Sequence, residues 1–418
     1  MINNYICALD IGSSKLVAAA ALIKKGRIAQ IFLESEPSRG IREGVIVDSV
    51  ELVSALSRLM RKLRGTSGLK IKSVFANVSG QDIVTKHSYS VIPLAERGNK
   101  VISIFDMEKV NDQARILGSS LEEEIIHQIP FAYGIDSKKD IVNPLGLYSH
   151  RLEVDLFLVC AKISSLQALN RLVHQSGYDL KEVFLSGIAS SCAVFNQDFK
   201  TGVNVFCDIG SDISELLIFK DGALKDIRLL RLGGDMLTQE LSRSLNISLE
   251  LAEDLKRTHA AVGNYEDIEE DKEILIKKDN LYKPIKQKLA AQITTDKTKA
   301  ICEMIKVEAG KSLSLNEVSN FVVAGRSVLL EGFLEMLEST LGIPVKLAKL
   351  GHPQLLSLAG SNELLSGHKY LTYLTALGLI CQALRVEELP QFSAVVESSR
   401  NPVSRLISRA KEVYQEYF

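Results

Sequence analysis

Apolar positions in this chain fall in short strand-type runs broken by glycine turns and in longer stretches of helical spacing. Tyr5 to Leu9 and Leu16 to Ile23 flank one glycine-containing turn, and Val203 to Cys207 and Leu216 to Phe219 flank another, so each pair predicts a β-hairpin. Ile28 to Phe32, Ser73 to Val78, Gln81 to Ile92 and Leu152 to Ala161 predict further strands. Leu52, Val53, Leu56, Leu59, Met60 and Leu63 recur at helical spacing, so Val50 to Leu63 predicts a helix over the first sheet. With a helix from Met107 to Ile116, residues 84–163 read as an inserted subdomain. A helix from Ser165 to Ser176 stops at Gly177. Asp226 to Leu232 predicts a strand running into Gly233 and Gly234, ahead of a helix from Met236 to Leu245, which sets a glycine pair at an anion-favouring helix N-terminus. Residues 246–310 read as helix-rich, with Asn264 to Lys272 a solvated loop. Phe321 to Ala324 predicts a strand ending at Gly325, followed by helices from Val328 to Leu341 and from Leu371 to Leu384. Residues 386–400 have neither period nor apolar density and read as a linker.

The clearest periodicity lies at 401–418. Val403, Leu406, Ile407, Ala410, Val413, Tyr414, Tyr417 and Phe418 fall within an arc of about 140° on a helical wheel, with every charged residue outside it. Asn401 suits the N-cap and Pro402 the first helical position. Arg405, Arg409 and Lys411 flank the apolar face. A terminal amphipathic helix with basic flanks and aromatic ends, placed after a linker, reads as an anchor lying in a membrane surface, although such a face can equally pack on protein.

The two hairpin turns share their sequence. Asp10-Ile11-Gly12-Ser13-Ser14 returns 198 residues later as Asp208-Ile209-Gly210-Ser211-Asp212. Alone, either turn is ordinary turn chemistry, since Asp bonds its own backbone and Gly supplies positive φ. Recurrence after a strand, at matching places in two halves, points instead to a duplicated function. A turn of small residues lets backbone N–H groups approach phosphate oxygens, and a strand-end carboxylate can hold a water on Mg²⁺. Two such turns facing each other would clamp a nucleoside triphosphate.

At 418 residues the chain exceeds one core and predicts two large domains. A net charge of −1 and the lack of a basic tract argue against nucleic acid as a partner. The six cysteines are scattered without a Cys-x-x-Cys pair, and the histidines lack His-Glu-x-x-His spacing, so disulfides and zinc are not expected. With no secretory signal at 1–10 and no apolar run long enough to span a bilayer, the body of the protein is expected in the cytosol.

Two phosphate hairpins, a late strand-glycine-helix element and an inserted subdomain together resemble the actin-like ATPase superfamily. Leu185-Ser186-Gly187-Ile188-Ala189-Ser190-Ser191, Asp221-Gly222-Ala223-Leu224, the stretch from Arg39-Gly40-Ile41 to Asp48 and the terminal helix narrow the likeness to the bacterial cell-division family FtsA, over nearly the whole length. The resemblance implies an α/β fold of two RNase H-like actin domains flanking a nucleotide cleft, with an FtsA-type insert and a C-terminal amphipathic helix. It places the first actin-like domain at 1–83 and 164–198, the insert at 84–163, the second domain at 199–240 and 311–385, its helix-rich subdomain at 241–310, the linker at 386–400 and the membrane-targeting helix at 401–418. It implies ATP and Mg²⁺ as cofactors and polymerisation of the chain with itself. The expected partners are the C-terminal peptide of FtsZ, other division proteins and the inner face of the cytoplasmic membrane, where the protein is peripheral.

By position, Asp10, Gly12, Ser13, Ser14 and Lys15 resemble the family's first phosphate segment and Asp208, Gly210 and Ser211 its second, with Asp10 and Asp208 facing Mg²⁺ through water. Gly233 and Gly234 match the glycine pair beside the nucleotide, Glu253 and Lys256 the nucleoside contacts, and Gly325 with Arg326 the adenosine segment. The chain departs from the family at Asp212, a carboxylate near phosphates, and at Ala324-Gly325-Arg326-Ser327, where a glycine run is usual. Arg326 is suited to stack on adenine or to pair with phosphate. Ser186 to Val194 offers no carboxylate or Gln to position an attacking water, so at most a weak ATPase is expected and no catalytic residue is assigned. A pilus-assembly scaffold of the PilM type is the alternative, distinguished by having no need of the tail. A sugar kinase or an Hsp70-type chaperone would need a catalytic Asp or a substrate domain that the sequence does not show.

Overall fold

A computed structural model describes residues 5–95, 98–136, 138–263, 265–278, 281–360 and 362–388. They form two compact units: Ala193–Gly222 with Asp226–Leu374 makes the second, and the remainder makes the first.

The first unit begins with β1 (Tyr5–Ile11), β2 (Lys15–Lys24) and β3 (Arg27–Pro37), followed by a small ribbon of β4 (Ile41–Arg42) and β5 (Val45–Ile46). α1 (Ser49–Ser67) comes next and then β6 (Ser73–Val78). The β1–β2 hairpin is in register from Tyr5 opposite Leu22 to Ile11 opposite Leu16. Asp48 caps α1 by accepting from the N–H groups of Val50 and Glu51 at 3.1 and 3.0 Å, and Gly68 ends it at φ +67°. Of its predicted apolar stripe, Leu52, Leu56, Leu59, Met60 and Leu63 are fully buried and Val53 half-buried, and the helix packs on β2 and β3.

The insert follows: β7 (Ile83–Pro93), β8 (Lys100–Val101), α2 (Ile104–Leu117), β9 (Glu123–Ile135), β10 (Lys138–Ile141), β11 (Tyr148–Ser149) and β12 (Arg151–Lys162). Four of these strands pair in the order β10-β9-β12-β7, and α2 lies across the sheet with Val110 and Ala114 set among Leu152, Val154, Leu156 and Leu158. The chain returns through α3 (Ile163–Gln175), β13 (Asp179–Leu185) and α4 (Ser186–Val194), which completes a sheet of order β13-β6-β1-β2-β3.

The second unit repeats the scheme with β14 (Val203–Ile209), β15 (Ser214–Lys220), β16 (Ala223–Leu230, of which the part from Asp226 on groups here), α5 (Gly234–Leu245) and α6 (Leu249–His259). β17 (Glu273–Lys278), β18 (Leu281–Lys286), α7 (Gln287–Gly310), β19 (Val318–Ala324), α8 (Phe333–Leu341), β20 (Val345–Leu347) and α9 (Pro353–Ala359) follow. Its sheet runs β16-β15-β14-β19-β20, and its core joins Val205, Cys207, Leu216 and Phe321 to Ile301 and Ile305 of α7.

Three sequence expectations change here. Residues 246–310 contain a hairpin, β17 with β18, in which Ile274 and Ile276 are buried while Leu275 between them is 62% exposed. The helix expected from Val328 to Leu341 is a 3₁₀ turn, Ser327–Leu329, and then α8, because Gly332 at φ +79° starts a new helix there. Finally α10 (Leu374–Glu388) runs three residues into the expected linker and, from Thr375 on, groups with the first unit rather than with 311–374. Its Thr375 and Gln382 bond Ser190 and Cys192 of α4. The rest of the linker and the tail at 401–418, including Val403, Leu406, Ile407, Ala410, Val413, Tyr414, Tyr417 and Phe418, lie outside the described residues.

Candidate functional site

The repeated sequence folds into repeated geometry. Asp10 and Asp208 are each the penultimate residue of a strand, and behind each a glycine closes the turn by the same hydrogen bond. Gly12 donates its N–H to the Lys15 carbonyl and Gly210 donates to the Ile213 carbonyl, both at 3.1 Å. The N–H groups of Ser13, Ser14 and Ser211 donate to no described residue, which leaves them free for an anion. Asp10 is 6% exposed and Asp208 half-buried.

In the second unit the glycine pair lies where α5 meets the second turn. The N–H groups that open α5 are already used: Gly234 donates to the Gly210 carbonyl and Asp235 to that of Ser211, both at 2.9 Å, and Met236 donates to Gly233 at 3.1 Å. The glycines therefore dock α5 onto the second turn rather than presenting its amides to a ligand. Gly233 is extended, and its glycine is required by approach alone: a Cβ there would sit 2.2 Å from the Ser211 carbonyl oxygen. Gly325 closes the same wall, at φ +111° and with room for a Cβ only 2.1 Å from the Ile209 carbonyl oxygen.

Glu253 and Lys256 come together one turn apart on α6. The Lys256 ammonium donates to the Gly234 carbonyl at 3.0 Å and to Thr238 Oγ1 at 2.7 Å, and meets Glu253 Oε2 at 2.5 Å. Thr238 and Arg257 also donate to Glu253, at 2.6 and 2.7 Å. All three ammonium protons thus have protein acceptors, so Lys256 ties α6 to the start of α5 and supports the second turn from behind. Burial acts to raise the Glu253 carboxyl, but the hydrogen bonds from Lys256 and Thr238 outweigh it and hold it below its ordinary value. The Arg326 carbonyl accepts the Leu329 N–H, but its guanidinium makes no hydrogen bond or ion pair with a described residue; partial burial and the charge of Arg257 pull it down, with Glu253 opposing. A guanidinium with no hydrogen bond to a described residue, next to the glycine wall, suits an anionic or stacking ligand.

Sequence reasoning passed over Asn77 and gave Ser186 no role. Asn77, near the end of β6, donates to Asp10 Oδ1 and to Ser186 Oγ, both at 2.9 Å, and accepts from the Ile11 N–H at 2.7 Å. A single polar residue inside Ser73-Val74-Phe75-Ala76-Asn77-Val78 reads from sequence as strand punctuation, and only the pairing of β6 with β1 exposes its role. Taken singly, each turn sets an unpaired backbone donor beside a strand-end carboxylate, Ser13 and Ser14 with Asp10 in the first and Ser211 with Asp208 in the second, a donor set that fits a phosphate group with Mg²⁺, which takes most of its ligands from water and phosphate.

The chain also matches known proteins. A family model described as "Cell division protein FtsA" covers residues 205–378, and one described as "SHS2 domain inserted in FTSA" covers 80–160, which is the β7–β12 insert. The chain belongs to the FtsA family. Similar FtsA-family proteins include those of Pseudomonas aeruginosa, 24% identical over 100% of this chain and 99% of the relative, and Bacillus subtilis, 25% identical over 92% and 85%. Among solved structures, the PilM-PilN type IV pilus biogenesis complex has a TM-score of 0.60 at 17% identity, covering 91% of this chain and 98% of the other. The ethanolamine utilization protein EutJ from Carboxydothermus hydrogenoformans has a TM-score of 0.51 at 13% identity, covering 91% and 90%. At these identities the structures show the fold alone, the actin-like α/β fold; the FtsA-family insert is given by the family model over 80–160.

Proposed function

We propose that this chain is a polymerising, actin-like ATP-binding protein of the bacterial division machinery that ties FtsZ filaments to the cytoplasmic membrane. The observation that carries the nucleotide part is the duplicated turn, in which Gly12 and Gly210 make the same closing hydrogen bond behind strand-end carboxylates. Within that reading Ser13, Ser14 and Ser211 meet phosphate oxygens, Asp10 and Asp208 hold waters on Mg²⁺, and Arg326 meets the nucleoside or a phosphate. Bound Mg²⁺ would neutralise phosphate charge; the chain's own residues orient the ligand and exclude bulk from the turns. No carboxylate or Gln on α4 is offered to an attacking water, so turnover falls far below the ~1–100 s⁻¹ of kinases.

Family membership and the pattern of 401–418 support the membrane and FtsZ parts. A PilM-type scaffold shares the fold, but two models specific to FtsA favour the first reading. The test is a pull-down of the full chain on an immobilised FtsZ C-terminal peptide, with ATP binding followed in parallel. Retention on the peptide together with saturable, magnesium-dependent ATP binding is expected; a chain that binds ATP but ignores the peptide would overturn the division-tether reading.

A further inference from the structure

The two carboxylates of the duplicated turns have unequal neighbours. Each belongs to a strand with a parallel partner, β6 beside β1 and β19 beside β14. Leu9 pairs with Ala76, so the next step along the two strands brings Asp10 beside Asn77. At the equivalent step of the second copy, Asp208 lies opposite Ala324, a methyl group with nothing to donate. The duplication therefore kept the carboxylates and changed what stands next to them.

Asn77 is 5% exposed, and its amide can be oriented in one way only. The Ile11 N–H requires the amide oxygen on its side, at 2.7 Å, and the Asp10 carboxylate requires the amide nitrogen, at 2.9 Å. The second amide proton goes to Ser186 Oγ at 2.9 Å, whose own proton is given to the Val78 carbonyl at 3.1 Å. The bonds run head to tail from the Ile11 N–H through Asn77 and Ser186 to the Val78 carbonyl, with Asp10 on the other Asn77 amide proton, so the network holds one arrangement and strengthens it cooperatively. Two consequences follow. Asn77 orients one oxygen of the Asp10 carboxylate, and the Ile11 N–H is withdrawn from the turn, so that the unpaired donors are those of Ser13 and Ser14.

We propose that Asn77 is a positioning residue for the first turn: with Ser186 it sets the Asp10 carboxylate toward the magnesium of a bound nucleotide. This rests on the nucleotide reading above. Asn77 touches neither ligand nor reacting atoms; it acts through Asp10. Losing it leaves the phosphate-facing amides in place and removes the hydrogen bond that orients one carboxylate oxygen, so the magnesium-dependent part of nucleotide affinity suffers while the magnesium-independent part does not.

The experiment measures binding of a fluorescent ATP analogue to the full chain, in Mg²⁺ and in EDTA, beside the unfolding temperature of each protein without ligand. Asn77→Ala should lower affinity in Mg²⁺ about tenfold, the size of a lost hydrogen bond to a charged group, and leave affinity in EDTA within about twofold. Ser186→Ala should show a smaller loss of the same kind that does not add to that of Asn77→Ala, and Ser186→Thr, which keeps the hydroxyl, should restore it. If Asn77→Ala does not fold, the Ser186 pair decides alone. Equal losses in Mg²⁺ and EDTA, or an unchanged ratio in every folded variant, would overturn the assignment. Absence of binding by the unaltered chain would overturn the nucleotide reading itself, a result distinguishable from either.

Discussion

Gly378 of α10 stands against Ala189 of α4 so closely that a Cβ on the glycine would lie 1.8 Å from the Ala189 carbonyl oxygen. The obstacle is backbone, which cannot turn aside as a side chain can. Gly378→Ala should therefore destabilise by about 1–3 kcal/mol, the usual cost of overpacking. Gly310, the last residue of α7, meets nothing within 4 Å of an added Cβ, and Gly310→Ala should be neutral or stabilising by up to about 1 kcal/mol. Denaturant unfolding should show a loss for Gly378→Ala and none for Gly310→Ala.

Lys256 supplies protons to three acceptors behind the second turn. Lys256→Met keeps the length and removes the charge, leaving Glu253 and the Gly234 carbonyl short of donors. About 2 kcal/mol of stability should be lost, less than for a fully buried pair because Glu253 is about a third exposed. Thermal unfolding reads the loss directly. A variant as stable as the parent would show that α5 and α6 are held together by their apolar contacts alone.

His127 on β9 accepts the Leu185 N–H at 2.9 Å, and burial pulls its imidazole down to about 4. Between that value and its ordinary 6.5 the unfolded chain takes up a proton that the folded chain refuses. Stability should accordingly be full above pH 6.5 and decline as pH falls toward 4. His127→Gln, which has no titrating ring, should flatten that part of a stability–pH curve; an unchanged slope would assign the acid sensitivity elsewhere.

Asp208 and Asp212 flank the second turn, and only Asp208 repeats the strand-end place of Asp10. Asp208→Ala should weaken Mg²⁺-dependent ATP binding by roughly tenfold or more, and Asp212→Ala should change it little or improve it by removing a charge that repels phosphate. Isothermal titration with and without Mg²⁺ distinguishes them. A larger loss for Asp212→Ala would mean that the second turn is read one strand-end too early.

The residues of 400–418 carry four basic side chains against two acidic ones, so electrostatic attraction to anionic lipid is weak and a single helix should exchange freely. Polymerisation would make later insertions intramolecular and raise avidity by roughly 10² or more. Full-length protein should sediment with liposomes more strongly under conditions that assemble it, whereas truncation at Glu397 or Leu406→Glu with Ile407→Glu should leave it in the supernatant while FtsZ-peptide binding survives. Equal sedimentation of either variant would make the tail a packing helix.

Much of this architecture is written in local pattern. The α1 stripe, the β1–β2 and β14–β15 hairpins and the insert's boundary strands each follow from apolar period and glycine position, because burial on one face fixes both. What escaped was set by distant pairing. β17 and β18 alternate buried isoleucine with exposed residues, but lysines and Pro284 mask the alternation. The closure of α5 onto Gly210 and Ser211 could not be read from a glycine pair that equally suits an anion. Asn77 acquires meaning only when β6 is laid beside β1.

The insert joins the first unit through β7 and β12, which are antiparallel neighbours with Ile83 opposite Ala161. Lys162 donates its N–H to the Asp82 carbonyl at 3.0 Å and pairs with the Asp82 carboxylate at 2.8 Å, and Ser165 bonds the same side chain. Entry and exit are thus a single clasped rung, the spacing that a tight hairpin bridges unaided. In evolutionary terms the subdomain is a cartridge: it can be lengthened, exchanged or cut out at residues 82 and 162 without rethreading any strand of the β13-β6-β1-β2-β3 sheet behind it.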